Sequence, residues 1–435
     1  MKIGIRKETK YPTEKRAAIT PTHTKKLIEQ NIEVIVEPAE QRIFKLDEYL
    51  KAGAKAANNL SECDIIFGVK EVPIKDLIPN KPYCFFSHTI KGQSYNMPLL
   101  QAILDKNITL MDYELVKNDE GFRLIFFGKF AGYAGIIDSI WLLGKRLAYE
   151  GISTPFEKLK QATEYNMLSD AEEAIKQVGK EIQENGLPKE IIPLITGFAG
   201  YGNVSQGAQS LYDLLPSEEI KASELEDFIK AEKFSNKVVY KVVFKEEDMY
   251  EHLTKKEFNF KYFIEHPEEY KSIMYKYIPH LTMLINGIYW EERFPKHVTK
   301  KLMKEFYETG KKQKLKVIGD ITCDIEGSVE LTVKSTKSDN PAFVFEPLTE
   351  NVINGIKGNG PVILAVDKLP AELPKQASES FGNALLPFIK KLVKVDYTKD
   401  FENLDLPKEF KKATITHKGK LTPDFEYLKE YLTKN

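Results

Sequence analysis

The sequence contains few cysteines. Among its 435 residues there are three, Cys63, Cys84 and Cys323, and no two of them form a CxxC pair. This count and spacing exclude a disulfide framework and do not favour a zinc site, so we expect no bound metal. A reducing compartment is expected, with Cys84 and Cys323 acting as small buried hydrophobes rather than as nucleophiles.

An excess of either charge is also missing. The 63 lysines and arginines nearly equal the 64 aspartates and glutamates, which gives a formal net charge of -1. Such a chain offers no field that attracts a polyanion, so nucleic acid is not an expected partner. Small-molecule partners are expected instead.

Long hydrophobic runs are absent as well. The longest uncharged run, residues 191–212, is interrupted by glycines and by Asn203, Ser205 and Gln206, which a membrane span disfavours. The opening "MKIGIRKETK" has no apolar run after its charges, so we expect no secretory signal. These absences predict a cytoplasmic protein that does not span a membrane.

What is present is the alternation of an α/β protein. A chain of 49.8 kDa with 42% hydrophobic residues is large enough for two domains. Short apolar runs alternate with helical patterns near the start, which predicts a mostly parallel sheet. The runs are "KIGI", "EVIVE", "DIIFGVKE", "YCFFSH" and "ITLMDYE". Polar residues follow most of them and are expected at one edge of the sheet, where ligands bind, although such residues also mark where strands reach solvent.

The rest of the chain continues this pattern. A long apolar helix is predicted from Ala131, and its charged residues suit a connection between domains better than a membrane span. The charged segment 217–269 is predicted to consist of exposed elements with one strand, "KVVYKVVF". The runs "HLTMLINGIYW", "KLKVIGDITCDI" and "PVILAVD" predict further strands before a helical tail from Pro374.

One glycine-rich stretch, "LITGFAGYGNVSQGAQSLYDLL" at residues 194–215, predicts a strand, a turn and a helix. Gly200 suits a tight turn, Gly202 lets the backbone approach a ligand, and Gly207 would let the helix lie against the strand. Such a turn points amide groups and a helix N-terminus at a pyrophosphate. The spacing is GxGxxxxG rather than GxGxxG, and Pro193 interrupts the strand, so a glycine loop without a ligand stays an alternative. No GK[ST] follows, which excludes a P-loop.

An acid that binds the ribose of a dinucleotide is expected roughly 20 residues past such a motif. The second strand is predicted at "EEIKASE", whose end places Glu224 in that role. Lys221 lies nearby, so a 2′-phosphate is not excluded and the choice between NAD and NADP stays open.

Five long stretches carry a family resemblance. They are "FFSHTIKGQSYNMPLLQAILDKNITLMDYE", "FAGYAGIIDSIWLLGKRL", "TGFAGYGNVSQGAQ", "HPEEYKSIMYKYIPHLTMLINGIYWEERFPKHVT" and "DKLPAELPKQASESFGNALLPF". Together they resemble the lysine-2-oxoglutarate reductase half of the bifunctional aminoadipic semialdehyde synthases, also called lysine-forming saccharopine dehydrogenase. The resemblance covers nearly the whole chain.

The resemblance implies the architecture shared with alanine dehydrogenase and transhydrogenase, an α/β fold of two Rossmann-like domains with parallel sheets. A split domain, residues 1–135 plus 350–435, would bind substrate, and residues 136–349 would form the dinucleotide-binding Rossmann domain. It also implies reversible reductive condensation of L-lysine with 2-oxoglutarate to saccharopine. Animal and plant reductases of this type favour NADPH and the fungal enzyme uses NAD, so the implied cofactor is NADP(H) or NAD(H).

The resemblance places the catalytic residues on Lys70 in "GVKE" and His88 in "FSHTIKGQ". Imine formation moves protons at a carbinolamine, and two groups that titrate near neutrality suit this task. Histidine does so unperturbed, whereas lysine needs its pKa lowered by burial or a neighbouring cation. A hydrogen-bonded core histidine and a solvated surface lysine are the alternatives.

The same resemblance assigns the substrate-binding residues. Guanidinium groups suit the carboxylates of saccharopine, and the resemblance assigns the binding of these carboxylates to Arg16 and Arg123. The turn after His88 contributes Lys91 and Gln93, the amino groups would face Glu71 and Glu114, and Glu14 would orient Lys70. Surface ion pairing is the alternative for each.

The cofactor residues follow in the same way. Those implied for the pyrophosphate are Gly200, Gly202, Asn203, Val204 and Ser205. Asn286 and Gly287 would face the cofactor from another strand, and Asp320 and Ile321 would approach the nicotinamide.

Two other functions remain open at this point. An enzyme similar to alanine dehydrogenase would use pyruvate and ammonia and would need no second amino-acid pocket. A non-catalytic dinucleotide sensor would bind cofactor without turnover. The exact amine, the physiological direction and the oligomeric state do not follow from the sequence.

Overall fold

The computed structural model describes residues 1–432 and divides into two compact units. The first unit contains Met1–Phe127 and the chain from Pro374 onward, and the second contains Gly128–Leu373. The structural boundaries therefore lie before the expected position 135 and after the expected position 350. The reason is that position 135 falls inside one continuous helix, Gly128–Tyr149, and that strands after position 350 pair within the second sheet.

The first unit is built on one sheet. Its strands in the described part of the chain are Lys2–Ile5, Glu33–Val36, Lys55–Ala56, Ile65–Phe67, Pro82–Cys84, Thr109–Met111, Thr414–His417 and Lys420–Leu421. The first six run parallel to their neighbours, whereas Thr414–His417 pairs antiparallel with Thr109–Met111 and is followed by the edge strand Lys420–Leu421. The helical tail predicted from Pro374 therefore gives way to strands that complete this sheet.

Helices cover the first sheet. They are Pro21–Ile28, Leu46–Lys51, Met97–Asp105, Pro374–Leu392, Lys408–Lys412 and Lys429–Leu432. In the long helix Pro374–Leu392, Phe381, Leu385 and Ile389 recur at a spacing of four and are fully buried. Phe381 packs edge-on against Tyr113, with ring centroids 4.9 Å apart, which ties this returning helix to the sheet.

The second unit holds another mostly parallel sheet. Its strands within residues 128–373 run in the spatial order Val352–Asn354, Ala342–Phe345, Val362–Leu364, Val317–Asp320, Met283–Asn286, Ile195–Ala199, Val239–Phe244 and Ser217–Glu219. The first two of these pair antiparallel and the other six are parallel. Tyr250–His252 and Tyr270–Ser272 form a separate antiparallel pair.

The helices of the second unit are Gly128–Tyr149, Leu168–Asn185, Asn203–Tyr212, Leu225–Ala231, Glu246–Met249, Phe260–Glu265 and Lys300–Glu308. The first is rich in buried aliphatic residues and packs through glycines: a Cβ on Gly132 would lie 2.0 Å from the carbonyl oxygen of Val204. No helix described in residues 1–432 is long and apolar enough to cross a membrane.

Two expectations about the second unit are wrong. Segment 217–269 contains the strand Tyr250–His252 in addition to the strands expected at "EEIKASE" and "KVVYKVVF", and the latter strand, Val239–Phe244, is largely buried rather than exposed. The glycine strand is not interrupted by Pro193, because it begins afterwards at Ile195. The expected fold class, two Rossmann-like α/β units, is confirmed.

Candidate active site

The buried carboxylate of Glu8 links the ends of two strands of the first unit through hydrogen bonds. Glu8 follows the strand Lys2–Ile5, and its carboxylate accepts the backbone N–H groups of Val69, at 2.8 Å, and Lys70, at 2.9 Å. Burial raises the pKa of Glu8, while the charge of Arg6 opposes the rise. The loop that carries Lys70 is thereby fixed beside the end of the first strand, as expected from the strand-end pattern.

Arg16 is held by an acid of the same loop. Glu14 Oε1 accepts from Arg16 Nε at 2.8 Å and Glu14 Oε2 accepts from Arg16 Nη2 at 2.7 Å, and the guanidinium lies over the ring of Phe127 at 4.2 Å. Burial raises the pKa of Glu14, but these hydrogen bonds and the charge of Lys70 outweigh it and lower the value. Nη1 of Arg16 has no hydrogen-bond partner among residues 1–432, so one nitrogen of the fork remains for a carboxylate.

His88 and Lys10 both contact the carboxylate of Glu71. His88 Nδ1 is 2.8 Å from Glu71 Oε1, and Lys10 Nζ is 2.9 Å from the same oxygen. Burial raises the pKa of Glu71, but hydrogen bonds from His88 and Lys10 outweigh it and hold the pKa at about 2. Because the carboxylate occupies Nδ1, the nitrogen left to exchange a proton with a substrate is Nε2.

The backbone around His88 is also constrained. His88 has a positive φ of 52°, and its carbonyl oxygen accepts from Asn96 Nδ2 at 3.0 Å. Asp112, at the end of the next strand, accepts from Ser87 N at 2.9 Å and from Ser87 Oγ at 2.5 Å. A left-handed conformation is costly for a non-glycine residue, so these contacts hold the ring in place against local preference.

The remaining predicted substrate residues are more exposed to solvent than Arg16 and Glu71. Arg123 Nη2 donates to Glu114 Oε1 at 2.7 Å, so these two pair with each other, and the Arg123 side chain is 49% exposed. Lys91 and Gln93 are exposed on the turn after His88. The structure thus brings Lys70, Glu71 and His88 to one strand edge with Arg16, and leaves Lys91 and Gln93 on the surface.

In the second unit the glycine turn, residues 200–202, follows the strand Ile195–Ala199. Gly200 has a φ of 90°, which favours glycine, and Gly202 begins the helix Asn203–Tyr212 as its N-cap. A Cβ on Gly202 would meet no atom of residues 1–432 within 4 Å, so the space in front of this helix is open to that part of the chain. The first N–H groups of a helix have no partner within it, and here they belong to Asn203, Val204 and Ser205.

Gly207 serves a different contact from the one expected. A Cβ there would lie 2.5 Å from the carbonyl oxygen of Lys129, so Gly207 admits the helix Gly128–Tyr149 rather than the preceding strand. The expectation of close helix–strand packing at this position is therefore wrong. The glycine permits two helices to touch through their backbones.

Asn286 and Asp320 end neighbouring strands of the second sheet. They are register partners, and Asn286 Nδ2 donates to Asp320 Oδ1 at 2.8 Å while Thr332 Oγ1 donates to Asp320 Oδ2 at 2.6 Å. Burial raises the pKa of Asp320, against the hydrogen bonds that it accepts. Gly287 N donates to the carbonyl oxygen of Ala199 at 3.1 Å, which joins this strand end to the glycine strand.

A nicotinamide dinucleotide fits these residues. Asn286 Oδ1 is buried and has no hydrogen-bond partner among residues 1–432, so this acceptor at the strand end is available to a ligand. Ile321, the next predicted residue, is 8% exposed at the end of its strand. Open space at Gly202, free helix N–H groups and this acceptor together form a cradle of the kind that a dinucleotide occupies.

Glu224 does not stand where the sequence suggested. The strand is Ser217–Glu219, and Glu224 lies beyond it in the turn Ala222–Glu224, with its side chain 60% exposed and paired to Lys221 at 3.3 Å. The expected placement at a strand end is wrong because the strand is shorter than its polar sequence implied.

One residue of the first unit escaped the sequence analysis. Lys10 lies in "RKETKYPTE", where no strand or family motif singles it out. Glu8 was expected at the sheet edge as one of the polar residues that follow "KIGI", but its hydrogen bonds to the loop of Lys70 were not predicted. Across residues 1–432 no group of three or more His, Cys, Asp or Glu residues is placed to hold a metal ion.

These features define a two-domain α/β protein with a glycine turn in one parallel sheet and a cluster of titratable groups at the edge of another. The chain belongs to the alanine dehydrogenase/PNT family. The model of the N-terminal domain of alanine dehydrogenase/PNT matches residues 4–134, and the model of the C-terminal domain matches residues 292–424.

Curated relatives narrow the likeness within this family. The chain is similar to alpha-aminoadipic semialdehyde synthase of Arabidopsis thaliana, with 37% identity over 98% of the chain and 41% of that protein. It is 33% identical to the mitochondrial alpha-aminoadipic semialdehyde synthase of Bos taurus, over 98% of the chain and 47% of that protein. The chain thus spans less than half the length of these relatives. The saccharopine dehydrogenase [NAD(+), L-lysine-forming] of Emericella nidulans is 28% identical over 92% of the chain and 93% of its own length.

Solved structures show the same fold. An L-alanine dehydrogenase matches 99% of the chain and 100% of its own, with a TM-score of 0.63 and 18% identity. A transhydrogenase from Sinorhizobium meliloti matches 97% of the chain and 100% of its own, with a TM-score of 0.58 and 16% identity. Both confirm the expected architecture.

Proposed function

We propose that this chain is a lysine-forming saccharopine dehydrogenase, which condenses L-lysine with 2-oxoglutarate and reduces the imine to saccharopine, reversibly. The names of its relatives support this activity, and a nicotinamide dinucleotide, NADP(H) or NAD(H), is the proposed cofactor. The first unit would bind lysine, 2-oxoglutarate and saccharopine, and the second would bind the dinucleotide.

The arrangement of His88, Glu71 and Lys10 is the observation that carries the proposal. An ionised carboxylate with a pKa of about 2 fixes the imidazole through Nδ1, at 2.8 Å. An imidazole oriented in this way exchanges a proton at Nε2. Lys70 lies in the loop fixed by Glu8, which supplies a second titratable group at the same strand edge.

The proposed chemistry requires proton transfers that these groups perform. The lysine amine adds to the ketone of 2-oxoglutarate, and the resulting carbinolamine loses its hydroxyl as water and becomes an imine. His88 and Lys70 would protonate the departing hydroxyl and remove the proton from nitrogen, in an order that is left open. The dinucleotide, when bound, would supply the hydride that reduces the imine carbon, and a proton returned to the nitrogen by His88 or Lys70 would complete the secondary amine.

Charged residues of the first unit would orient the substrates. Arg16 offers Nη1 to a carboxylate while Glu14 holds its other nitrogens, and Arg123 would contribute a second guanidinium. Lys91 and Gln93 would reach the substrate from the turn after His88. Glu71 and Glu114 would favour the amino groups through their negative charge.

The second unit would hold the dinucleotide through its backbone. The N–H groups of Asn203, Val204 and Ser205 would bind the pyrophosphate in front of Gly202. Gly200 and Gly287 would let the backbone approach it closely, and Asn286, Asp320 and Ile321 would face the nicotinamide.

The direct test is oxidation of NADH and NADPH with 2-oxoglutarate and either lysine, ornithine or ammonia. Lysine-dependent oxidation is expected, and His88→Ala and Lys70→Ala should each lower it by about 10²-fold or more. Matched controls are His266→Ala and Lys51→Ala, at exposed positions, which should retain activity. Oxidation with ammonia but not with lysine would indicate a simple amino-acid dehydrogenase of the same fold, and dinucleotide binding without turnover would indicate a sensor; either result overturns the proposal.

A further inference from the structure

A cavity of about 220 Å³ in the first unit has a lining different from that of the candidate active site. Most of its wall comes from the chain segments that follow the strands Lys2–Ile5, Glu33–Val36, Lys55–Ala56 and Ile65–Phe67. Within residues 1–432, the lining includes neither Arg16 nor Lys70 nor His88. Sites for drug-sized ligands measure roughly 300–1,000 Å³, so this volume suits a metabolite no larger than a single amino acid.

One side chain of the lining is a buried cation. Arg6 is 5% exposed, and its Nη2 donates to Thr9 Oγ1 at 2.9 Å. Its Nη1 has a long contact of 3.5 Å with Glu8 Oε2, and in the described part of the chain its Nε donates to no acceptor. A buried guanidinium needs acceptors for its N–H groups, so Nε and Nη1 are available to an anionic group in the cavity.

Carboxylates line the same cavity. Asp76 Oδ2 accepts from Thr9 Oγ1 at 2.7 Å, so the Thr9 hydroxyl connects this carboxylate to the guanidinium of Arg6. Glu37 Oε2 accepts from Lys7 N at 2.9 Å. Between residues 1 and 432, neither carboxylate forms an ion pair, so both keep their charge available to a ligand.

The mixed charges of the lining indicate a zwitterionic ligand. A simple anion would meet the like charges of Asp76 and Glu37, and a simple cation would meet those of Arg6 and Lys7, which disfavours either one. A free amino acid carries both charges on neighbouring atoms. Its carboxylate would accept from the guanidinium of Arg6, and its ammonium would donate to Asp76.

Apolar side chains form another part of the wall. Leu60 and Ile66 line the cavity and are 2% and 1% exposed, which favours an aliphatic side chain on the ligand. We propose that this cavity binds a free amino acid with a small aliphatic side chain through Arg6 and Asp76. The inference does not depend on the reaction proposed above, because its residues are different.

The test is calorimetric titration of the full-length chain with L-valine, with isobutylamine, which lacks the carboxylate, and with isovalerate, which lacks the amine. L-Valine should bind, and each analogue should bind roughly 10-fold more weakly or less tightly still, because it loses one charge-assisted contact. Asp76→Asn should weaken L-valine by a similar factor, although its amide oxygen can still accept from Thr9. Asp105→Asn, at an exposed acid of the same unit outside the cavity, is the matched control and should bind like the parent.

A further variant separates this cavity from the candidate active site. Arg16→Gln should leave the affinity for L-valine unchanged. The inference is overturned by undetectable binding of L-valine, by equal affinity for L-valine and either analogue, by unchanged affinity in Asp76→Asn, or by a loss confined to Arg16→Gln. The comparison of analogues uses the parent chain, so it decides the question even where Asp76→Asn does not fold.

Discussion

His88 Nδ1 lies 2.8 Å from Glu71 Oε1, and the same oxygen lies 2.9 Å from Lys10 Nζ. One carboxylate thus orients an imidazole and is itself held by a cation. Glu71 is 3% exposed, so water does not compete for these contacts. We infer that Glu71 positions His88 rather than binding substrate alone.

Replacing Glu71 by glutamine tests this positioning role. Glu71→Gln should lower kcat by at least about 10-fold, a fraction of the ~10²–10⁴-fold that general acid–base catalysis supplies. Steady-state kinetics measure this effect.

The control is Glu62→Gln, since the Glu62 side chain is 83% exposed and pairs with Lys2 in a 3.2 Å contact at the surface. An unchanged kcat in Glu71→Gln would contradict the role.

The stability of the chain in acid provides a second test of the Glu71 contacts. The depressed pKa of Glu71 means that its stabilising contribution is complete above its ordinary value of 4.5 and is lost as pH falls toward 2. The glutamine variant should therefore lose less stability in acid.

Alanine substitutions at two glycines of the second unit distinguish a packing role from a ligand-binding role. Gly132→Ala places a Cβ 2.0 Å from the Val204 carbonyl oxygen, so it should destabilise the chain by about 1–3 kcal/mol. The added methyl group of Gly202→Ala meets no described atom within 4 Å, so this substitution should cost about 1 kcal/mol or less, as an N-cap change. Gly202→Ala should nevertheless weaken dinucleotide binding, because its methyl group enters the open space. Denaturation and dinucleotide titration measure the two effects, and normal binding by Gly202→Ala would exclude the glycine turn as the cradle.

Asp138 and Glu372 form a buried acidic pair that predicts how stability varies with pH. Burial raises the pKa of Asp138 well above its usual range, and the charge of Glu372 raises it further. Burial also raises the pKa of Glu372. The folded chain holds protons that the unfolded chain releases near pH 4, so these groups make stability fall as pH rises above that value.

The measurement is Tm against pH for the parent chain and for Asp138→Asn. The amide cannot ionise, so the fall in Tm from about pH 5 to 8 should be smaller in the variant. Asp227→Asn, at an exposed position of the same unit, should match the parent. An equal fall in parent and Asp138→Asn would show that this pair does not set the dependence.

The hydrogen bonds of Asp320 lead to a prediction about the free energy of unfolding. Its oxygens accept from Asn286 Nδ2 at 2.8 Å and from the hydroxyls of Thr322, at 2.8 Å, and Thr332, at 2.6 Å. Asp320→Asn replaces one acceptor by a donor that faces donors, which should cost about 1–3 kcal/mol. It should also weaken dinucleotide binding, because Asn286 loses its partner. Asp339→Asn is the exposed control, and unaltered stability in Asp320→Asn would contradict the account.

Sequence pattern predicted the parallel strands well where they carry β-branched residues. The run "EVIVE" forms Glu33–Val36, and "KVVYKVVF" contains Val239–Phe244. The polar strand Ser217–Glu219 has no such residues, and its predicted end was misplaced at Glu224. The strand Thr414–His417 was missed because its pairing with Thr109–Met111 joins positions far apart in the chain.

The residues of the candidate site also differ in how well the sequence predicted them. Lys70, Glu71 and His88 follow strands, so the sequence predicted their shared edge. The contact of Lys10 with Glu71 depends on the path of a loop, which no periodicity encodes. The neighbour of the glycine strand also could not be predicted, since chain order does not determine spatial order in a sheet.

The most direct measurement of the proposed reaction is mass spectrometry of its product. The chain would be incubated with lysine, 2-oxoglutarate and reduced dinucleotide deuterated at the transferable position. The account predicts a condensation product of lysine and 2-oxoglutarate, minus water, that carries one deuterium and is lost in His88→Ala. Bound dinucleotide with no deuterated product would contradict it.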